Sequence, residues 1–120
     1  MKLTGSCHCG ATRFEVAAAP ASVTRCTCSI CSKLGALWAY YPPEDFTLQE
    51  RPSCETTYRW RTRMVAFKFC PSCGCSTYNE TFDWSTGAAG TPVIAVNARL
   101  FDDFDLDAVP VEVVDGKKLW

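Results

Sequence analysis

The number and spacing of its cysteines constrain this chain more than any other feature. The chain has 120 residues and nine cysteines, and eight of them fall in three short clusters: Ser6-Cys7-His8-Cys9-Gly10, Arg25-Cys26-Thr27-Cys28-Ser29-Ile30-Cys31-Ser32-Lys33 and Phe69-Cys70-Pro71-Ser72-Cys73-Gly74-Cys75. Thiols this close together form disulfides, a redox pair or a metal site. Choosing among these three possibilities decides most of the functional question.

Metal ligation fits the thiols better than disulfides do. The first cluster follows Met1-Lys2-Leu3-Thr4-Gly5 with no apolar segment of the secretory kind, so we expect a cytoplasmic protein. Structural disulfides are rare in a reducing cytosol, and an odd number of cysteines does not complete a disulfide framework. A redox pair at Cys28 and Cys31 lacks the alternating strands and helices of a thioredoxin-type setting.

Composition and charge limit the classes of partner. With 48% hydrophobic and 21% charged residues, the chain has the composition of a globular protein, and its formal net charge is -1. That balance gives no general attraction to nucleic acid or to an anionic membrane. No apolar run approaches the ~20 residues that span a bilayer.

The hydrophobic pattern predicts an all-β domain. Short strand candidates recur along the chain, and no long helical periodicity interrupts them. A hairpin is predicted over residues 56–61 and 64–69 with its turn near Thr62-Arg63, and residues 92–97 form the most buried strand candidate. We expect a single zinc-binding domain over residues 1–120.

The third cluster has the form of a zinc knuckle, in which Cys70-Pro71-Ser72-Cys73 is followed by Gly74. Structural zinc takes four ligands, and one C-x-x-C supplies two. Cys7 and Cys9 are the obvious second pair. Together they would link the N-terminus to the far end of the hairpin.

The central cluster then has three thiols, Cys26, Cys28 and Cys31. Three protein ligands and one open position are typical of a catalytic zinc, whereas four ligands indicate a structural one. In the other interpretation, Cys75 fills the fourth position and both sites are structural. His8 points away from a metal held by its neighbours and is expected not to be a ligand, and Cys54 is expected to be a simple half-buried or surface thiol.

These motifs resemble those of the glutathione-dependent formaldehyde-activating enzyme (GFA) family, also called the centromere-protein-V-like family. The resemblance rests on residues 5–14, 26–33 and 69–74, and extends to Val96-Asn97-Ala98-Arg99-Leu100 and Asp115-Gly116. It implies an Mss4-like fold of small antiparallel β-sheets and two zinc ions. It also implies a structural site at Cys7, Cys9, Cys70 and Cys73 and a catalytic site at Cys26, Cys28 and Cys31.

The resemblance implies a carbon–sulfur lyase acting on glutathione and formaldehyde through S-hydroxymethylglutathione. The alternative is a non-catalytic zinc-stabilised module that binds a protein, or a thiol or zinc carrier. Glutathione has two carboxylates, and arginine binds carboxylates in a bidentate manner. The residues themselves suggest cations for this role and aromatic walls for a cleft: Arg25, Lys33, Arg59 and Arg61, with Trp38, Tyr40 and Trp84.

Overall fold

The computed structural model describes residues 2–51, 56–59, 64–86 and 88–119. Its strands are β1 (Leu3–Ser6), β2 (Arg13–Val16), β3 (Val23–Cys26), β4 (Trp38–Tyr41), β5 (Phe46–Glu50), β6 (Thr56–Tyr58), β7 (Ala66–Phe69), β8 (Ser76–Phe82), β9 (Pro92–Asn97) and β10 (Val111–Val114). Two short helices, α1 (Ser29–Leu34) and α2 (Gly116–Leu119), and three 3-10 turns, Pro43–Asp45, Ala98–Leu100 and Leu106–Ala108, complete these elements.

The strands form two sheets. The smaller sheet has the order β1-β2-β5, and the larger has the order β10-β3-β4-β9-β8-β7-β6. This arrangement confirms the expected all-β, Mss4-like fold. One described pairing departs from the antiparallel expectation, because β10 runs parallel to β3 with Val114 opposite Cys26.

The two sheets pack face to face around the main apolar core. Phe14 and Val16 of β2 are fully buried against Ile94 and Val96 of β9. Phe46 bridges the sheets, since its ring centroid lies 5.7 Å from that of Phe14 and 4.9 Å from that of Tyr78. Such aromatic contacts add to the free energy that the buried area supplies.

A second buried cluster lies on the opposite face of the larger sheet. Successive residues of a strand point to opposite faces, so β4 sends Ala39 and Tyr41 into the main core and Trp38 to the other side. There Trp38 packs with Phe67, Ala95 and the cysteines of the central cluster.

Strand ends position each group of thiols. The strand β1 runs into Cys7, β3 ends at Cys26, and β7 ends next to Cys70. The predicted hairpin is present as β6 and β7, paired from Thr56 opposite Phe69 to Tyr58 opposite Phe67. The turn predicted near Thr62-Arg63 lies outside the described residues.

Candidate metal and active site

Four sulfurs converge where the first and third clusters meet. The Sγ atoms of Cys7, Cys9, Cys70 and Cys73 all lie within 4.8 Å of one another. The Cys9 sulfur is 3.7 Å from that of Cys7 and 3.6 Å from that of Cys70. This is the composition of a closed, tetrahedral structural zinc site.

The two knuckles that carry these sulfurs share a backbone geometry. Gly10 and Gly74 have φ of 81° and 80°, in the left-handed region that favours glycine. Each closes a tight turn, since the Gly10 amide donates to the Cys7 carbonyl at 3.1 Å and the Gly74 amide donates to that of Cys70 at 2.8 Å. The glycine that follows each cysteine pair is therefore required by the turn.

Backbone amides in these knuckles point at the sulfurs. The Thr12 amide donates to the Cys7 sulfur at 3.4 Å. Burial raises the pKa of Cys73, but amides of Cys75 and Cys9 outweigh it and lower that pKa to about 5. Amides that stabilise thiolates suit a site whose ligands must be deprotonated.

Three sulfurs converge at the second cluster. Cys26, Cys28 and Cys31 are buried, and their sulfurs lie within 4.8 Å of one another. Cys28 is the N-cap of α1, and its sulfur accepts the Cys31 amide at 3.4 Å. Gly35 ends the helix at φ 67°, and its amide donates to the Cys31 carbonyl at 3.1 Å. One helical turn thus fixes two thiols against the end of β3.

Hydrogen bonding makes the Cys26 thiol more acidic than the Cys31 thiol. The Cys31 thiol and the amides of Cys28 and Gly116 donate to its sulfur and lower its pKa to about 6, although burial opposes them. The same contact with Cys26, together with burial, raises the pKa of Cys31. These contacts therefore stabilise negative charge on the Cys26 sulfur, and the thiolate is the form that binds a metal ion.

Both clusters fit zinc. Thiolate sulfur is a ligand that zinc favours, and both groups of cysteines provide it here. The first cluster supplies four sulfurs. The second supplies three, and no fourth cysteine, histidine or carboxylate within the described ranges joins it.

Trp38 places a polar atom next to the three-thiol cluster. Its side chain is 2% exposed, and its indole Nε1 has no hydrogen-bond partner in the described part of the chain. The indole N–H opposes the rise in the pKa of the nearby Cys31 thiol that Cys26 and burial cause. The sequence suggested Trp38 only as an aromatic wall.

An open cleft of about 270 Å³ adjoins this cluster. Its walls come from α1, from β6, β7 and β8, and from the third cysteine cluster. The residues are Ile30, Leu34, Tyr58, Phe67, Lys68, Phe69, Gly74 and Ser76. Ile30 and Phe67 also pack against the three cysteines. The cleft and the thiol cluster are therefore neighbours that share these two residues.

The predicted cations are placed differently from one another. Strand alternation puts Arg25 on the opposite face of β3 from Cys26. Lys33 is exposed on α1, and Arg59 is exposed directly after Tyr58. Arg61 lies outside the described residues. Contact of these side chains with a substrate stays a prediction.

None of the remaining predicted residues that the structure describes belongs to the three-thiol cluster. Cys75 lies beside the four-thiol cluster, where its sulfur accepts the His8 amide and neighbours Cys73. The structure thus does not place it in the fourth position of the other cluster. The His8 side chain is exposed and belongs to neither group of sulfurs. Cys54 lies outside the described residues.

The other two aromatic residues suggested as cleft walls, Tyr40 and Trp84, lie in different parts of the fold. Tyr40 follows Trp38 on the same strand face, and burial and the charge of Cys26 raise the pKa of its hydroxyl. Trp84 is away from this region, since its indole donates to Thr81 at 3.2 Å and its ring packs on Phe82.

Arg99 is a cation that the sequence pattern does not indicate as a binding residue. Its Nε donates to the Gly35 carbonyl at 2.8 Å, which places an exposed guanidinium at the end of the helix that carries Cys31. Its position beyond the most buried strand gave no indication of this contact, because the two residues are 64 positions apart.

Comparison with known proteins adds three findings. The family model described as glutathione-dependent formaldehyde-activating enzyme matches residues 2–114. A Halomonas elongata protein, provisionally named as such an enzyme, is 59% identical over 34 residues, which are 28% of this chain and 22% of that protein. The chain thus aligns with about a fifth of that relative.

A solved structure is similar over most of its length. The crystal structure of a Rhodobacter sphaeroides protein superposes with a TM-score of 0.74 at 26% identity, covering 90% of this chain and 98% of that one. Separately, none of the helices in the described ranges is long and apolar enough to cross a membrane.

Proposed function

Because the chain belongs to the glutathione-dependent formaldehyde-activating enzyme family, we propose that it is a two-zinc carbon–sulfur lyase. It forms or cleaves an adduct of glutathione with formaldehyde, such as S-hydroxymethylglutathione. Cys7, Cys9, Cys70 and Cys73 hold the structural zinc, and Cys26, Cys28 and Cys31 hold the catalytic one. We further propose that it acts in the cytoplasm as a single domain.

The observation that carries this proposal is the difference between the two groups of sulfurs. Among the described residues, the first group has four members and is complete for a tetrahedral ion, whereas the second has three. A site with three protein ligands leaves one position for a substrate. A zinc ion bound there would accept the glutathione sulfur as its thiolate at neutral pH.

The residues around the three thiols prepare the site for this role. Amides of Cys28 and Gly116 donate to Cys26 and stabilise its negative charge. Phe67 and Ala95 pack against the thiols and exclude water from them. In a drier environment the hydrogen bonds to sulfur are electrostatically stronger than in bulk water.

The reaction conserves all atoms and needs no oxidant. In the forward direction the glutathione sulfur bonds to the carbonyl carbon, the second bond between carbon and oxygen breaks, and the thiol proton ends on that oxygen. Cleavage reverses these steps. The chain must therefore orient a thiolate and a small carbonyl and let a proton pass between sulfur and oxygen.

Zinc stoichiometry, with X-ray absorption at the zinc edge, tests the proposal. We expect two zinc ions per chain, and we expect average sulfur coordination to rise when glutathione is added. Cys26→Ser should retain one ion and should show no such rise. Turnover is then measured by following formaldehyde loss with glutathione present and absent.

Two outcomes would contradict the proposal. Two ions that already have four sulfur ligands each and do not respond to glutathione would leave no position for the thiol. A response to glutathione without any change in the rate of adduct formation or cleavage would instead identify a thiol carrier.

A further inference from the structure

The cleft beside the three thiols has apolar walls. Ile30 and Leu34 lie one helical turn apart on α1 and face it from one side. Tyr58, Phe67 and Phe69 face it from the strands opposite. Leu34 is 41% exposed and Tyr58 is 51% exposed, so both ends of this surface meet solvent.

The cleft has little charge to offer a carboxylate. Lys68 is the one charged residue among the described lining residues. Its ammonium is engaged by Thr57 at 2.9 Å and by Glu80 at 3.6 Å. Both carboxylates of glutathione would therefore lack a counter-charge inside the cleft, and they are better placed outside it, near exposed cations such as Lys33 and Arg99.

Formaldehyde cannot use this cleft either, because its carbonyl carbon carries only hydrogen. Yet Ile30 and Phe67 line the cleft of about 270 Å³ and also pack against the thiol cluster, so only these side chains lie between the two. A group bonded to the reacting carbon would extend from the thiols along these side chains. Burial of apolar area there would favour binding.

We propose that this cleft binds the alkyl or aryl group of an aldehyde larger than formaldehyde, so that the chain acts on hemithioacetals of apolar aldehydes. The inference rests on the proposed function and specifies its carbonyl substrate. The chemistry is unchanged: the thiol sulfur bonds to the aldehyde carbon, the carbonyl π bond breaks, and the thiol proton ends on oxygen.

Two unreactive thioethers test this without turnover. S-hexylglutathione carries an apolar chain on sulfur, and S-methylglutathione matches the size of the formaldehyde adduct. Each buried methylene strengthens binding by roughly fourfold. Because the cleft is open, we expect S-hexylglutathione to bind the zinc-loaded protein at least about tenfold more tightly in calorimetry.

Variants on the two walls of the cleft identify where the hexyl group of the ligand binds. Leu34→Glu places a charge at the mouth of the cleft and should reduce the affinity for S-hexylglutathione to that for S-methylglutathione. Tyr58→Ser, on the opposite wall, should also weaken binding of S-hexylglutathione. Ser32→Glu introduces the same charge on an exposed position of the same helix outside the lining, and it should retain the preference.

The outcomes separate this inference from the proposed function. Equal affinity for the two thioethers, or a preference that Leu34→Glu and Tyr58→Ser leave intact, would overturn the apolar subsite even if glutathione and formaldehyde are turned over. Failure of zinc to respond to glutathione would overturn the proposed function. A preference for the hexyl compound that both wall variants abolish supports the subsite.

Discussion

The sulfurs of Cys9 and Cys70 lie 3.6 Å apart although 61 positions separate them in the chain. Cys9 belongs to the knuckle after β1, in the smaller sheet, and Cys70 follows β7 of the larger sheet. A metal ion held by both knuckles would therefore join the two sheets. Its binding free energy would contribute directly to the stability of the fold.

Cys70→Ser should destabilise the whole domain. Cys70 is fully buried, and its replacement removes one of four sulfurs from the site that links the sheets. We expect loss of one zinc ion and a fall in stability of several kcal/mol, or failure to fold, as for other structural zinc sites. Circular dichroism on heating, together with zinc analysis, measures both effects.

Cys75→Ser is the matched control for that variant. Cys75 neighbours the same sulfurs but is outside the group of four. It should retain two zinc ions and melt within a few degrees of the unmodified chain. A loss of zinc equal to that of Cys70→Ser would show that Cys75 is a ligand.

Cys28→Ser should remove one zinc ion and leave the fold largely intact. The Cys28 side chain caps α1 by accepting the Cys31 amide, and serine is among the preferred N-cap residues. The hydroxyl can therefore replace the sulfur in the cap but is a poorer zinc ligand. Zinc analysis and far-UV circular dichroism test this, and unfolding as complete as that of Cys70→Ser would refute the division into structural and catalytic sites.

The arrangement of the thiols could be predicted because zinc coordination restricts the number and type of its ligands. Structural zinc takes four ligands, so the pair Cys70 and Cys73 required a second pair, and Cys7 and Cys9 were the nearest choice. The structure brings these four sulfurs together. Strand positions could also be predicted, as in residues 92–97, because a short run of apolar and β-branched residues favours a strand locally.

Contacts between distant segments could not be predicted in the same way. The parallel pairing of β10 with β3 places Val114 opposite Cys26, and nothing in either segment specifies the other. Likewise, the contact between Arg99 and the Gly35 carbonyl depends on where two sheet connections meet. Spacing motifs identify ligands, whereas the residues that surround them are determined by packing of the whole chain.

Tyr41 should give the protein an alkaline limit to its stability. Burial raises the pKa of Tyr41 from 10.0 to about 12, and its hydroxyl donates to the Ala18 carbonyl at 2.8 Å. Because the pKa is raised on folding, this contribution is complete below pH 10 and is lost as the pH rises toward 12.

Tyr41→Phe should cost about 1 kcal/mol at neutral pH through the lost hydrogen bond. It should also weaken the fall in stability above pH 10, since phenylalanine does not ionise. Urea denaturation at a series of pH values measures both effects. An unchanged alkaline slope would show that another group causes it.

Trp38→Phe should weaken metal retention at the three-thiol cluster. The buried indole N–H has no hydrogen-bond partner among the described residues, and it acts to lower the pKa of the nearby Cys31 thiol. A donor next to this sulfur favours the thiolate form of Cys31, which is the form that binds metal. Phenylalanine keeps an aromatic ring but removes the donor. Competition with a chelator should therefore show one zinc ion released at several-fold lower chelator concentration, while the other is retained as before.

Phe67→Leu separates this donor effect from packing. Phe67 packs against the same three thiols, so its truncation also loosens the cluster, but it leaves the Trp38 N–H in place. Both variants should lower thermal stability, because both leave space in a buried cluster. Only Trp38→Phe should also shift the sulfur-to-metal charge-transfer bands of the cobalt-substituted protein, since only it changes the electron density on the Cys31 sulfur. Equal metal release and equal spectra for the two variants would mean that Trp38 acts through packing alone.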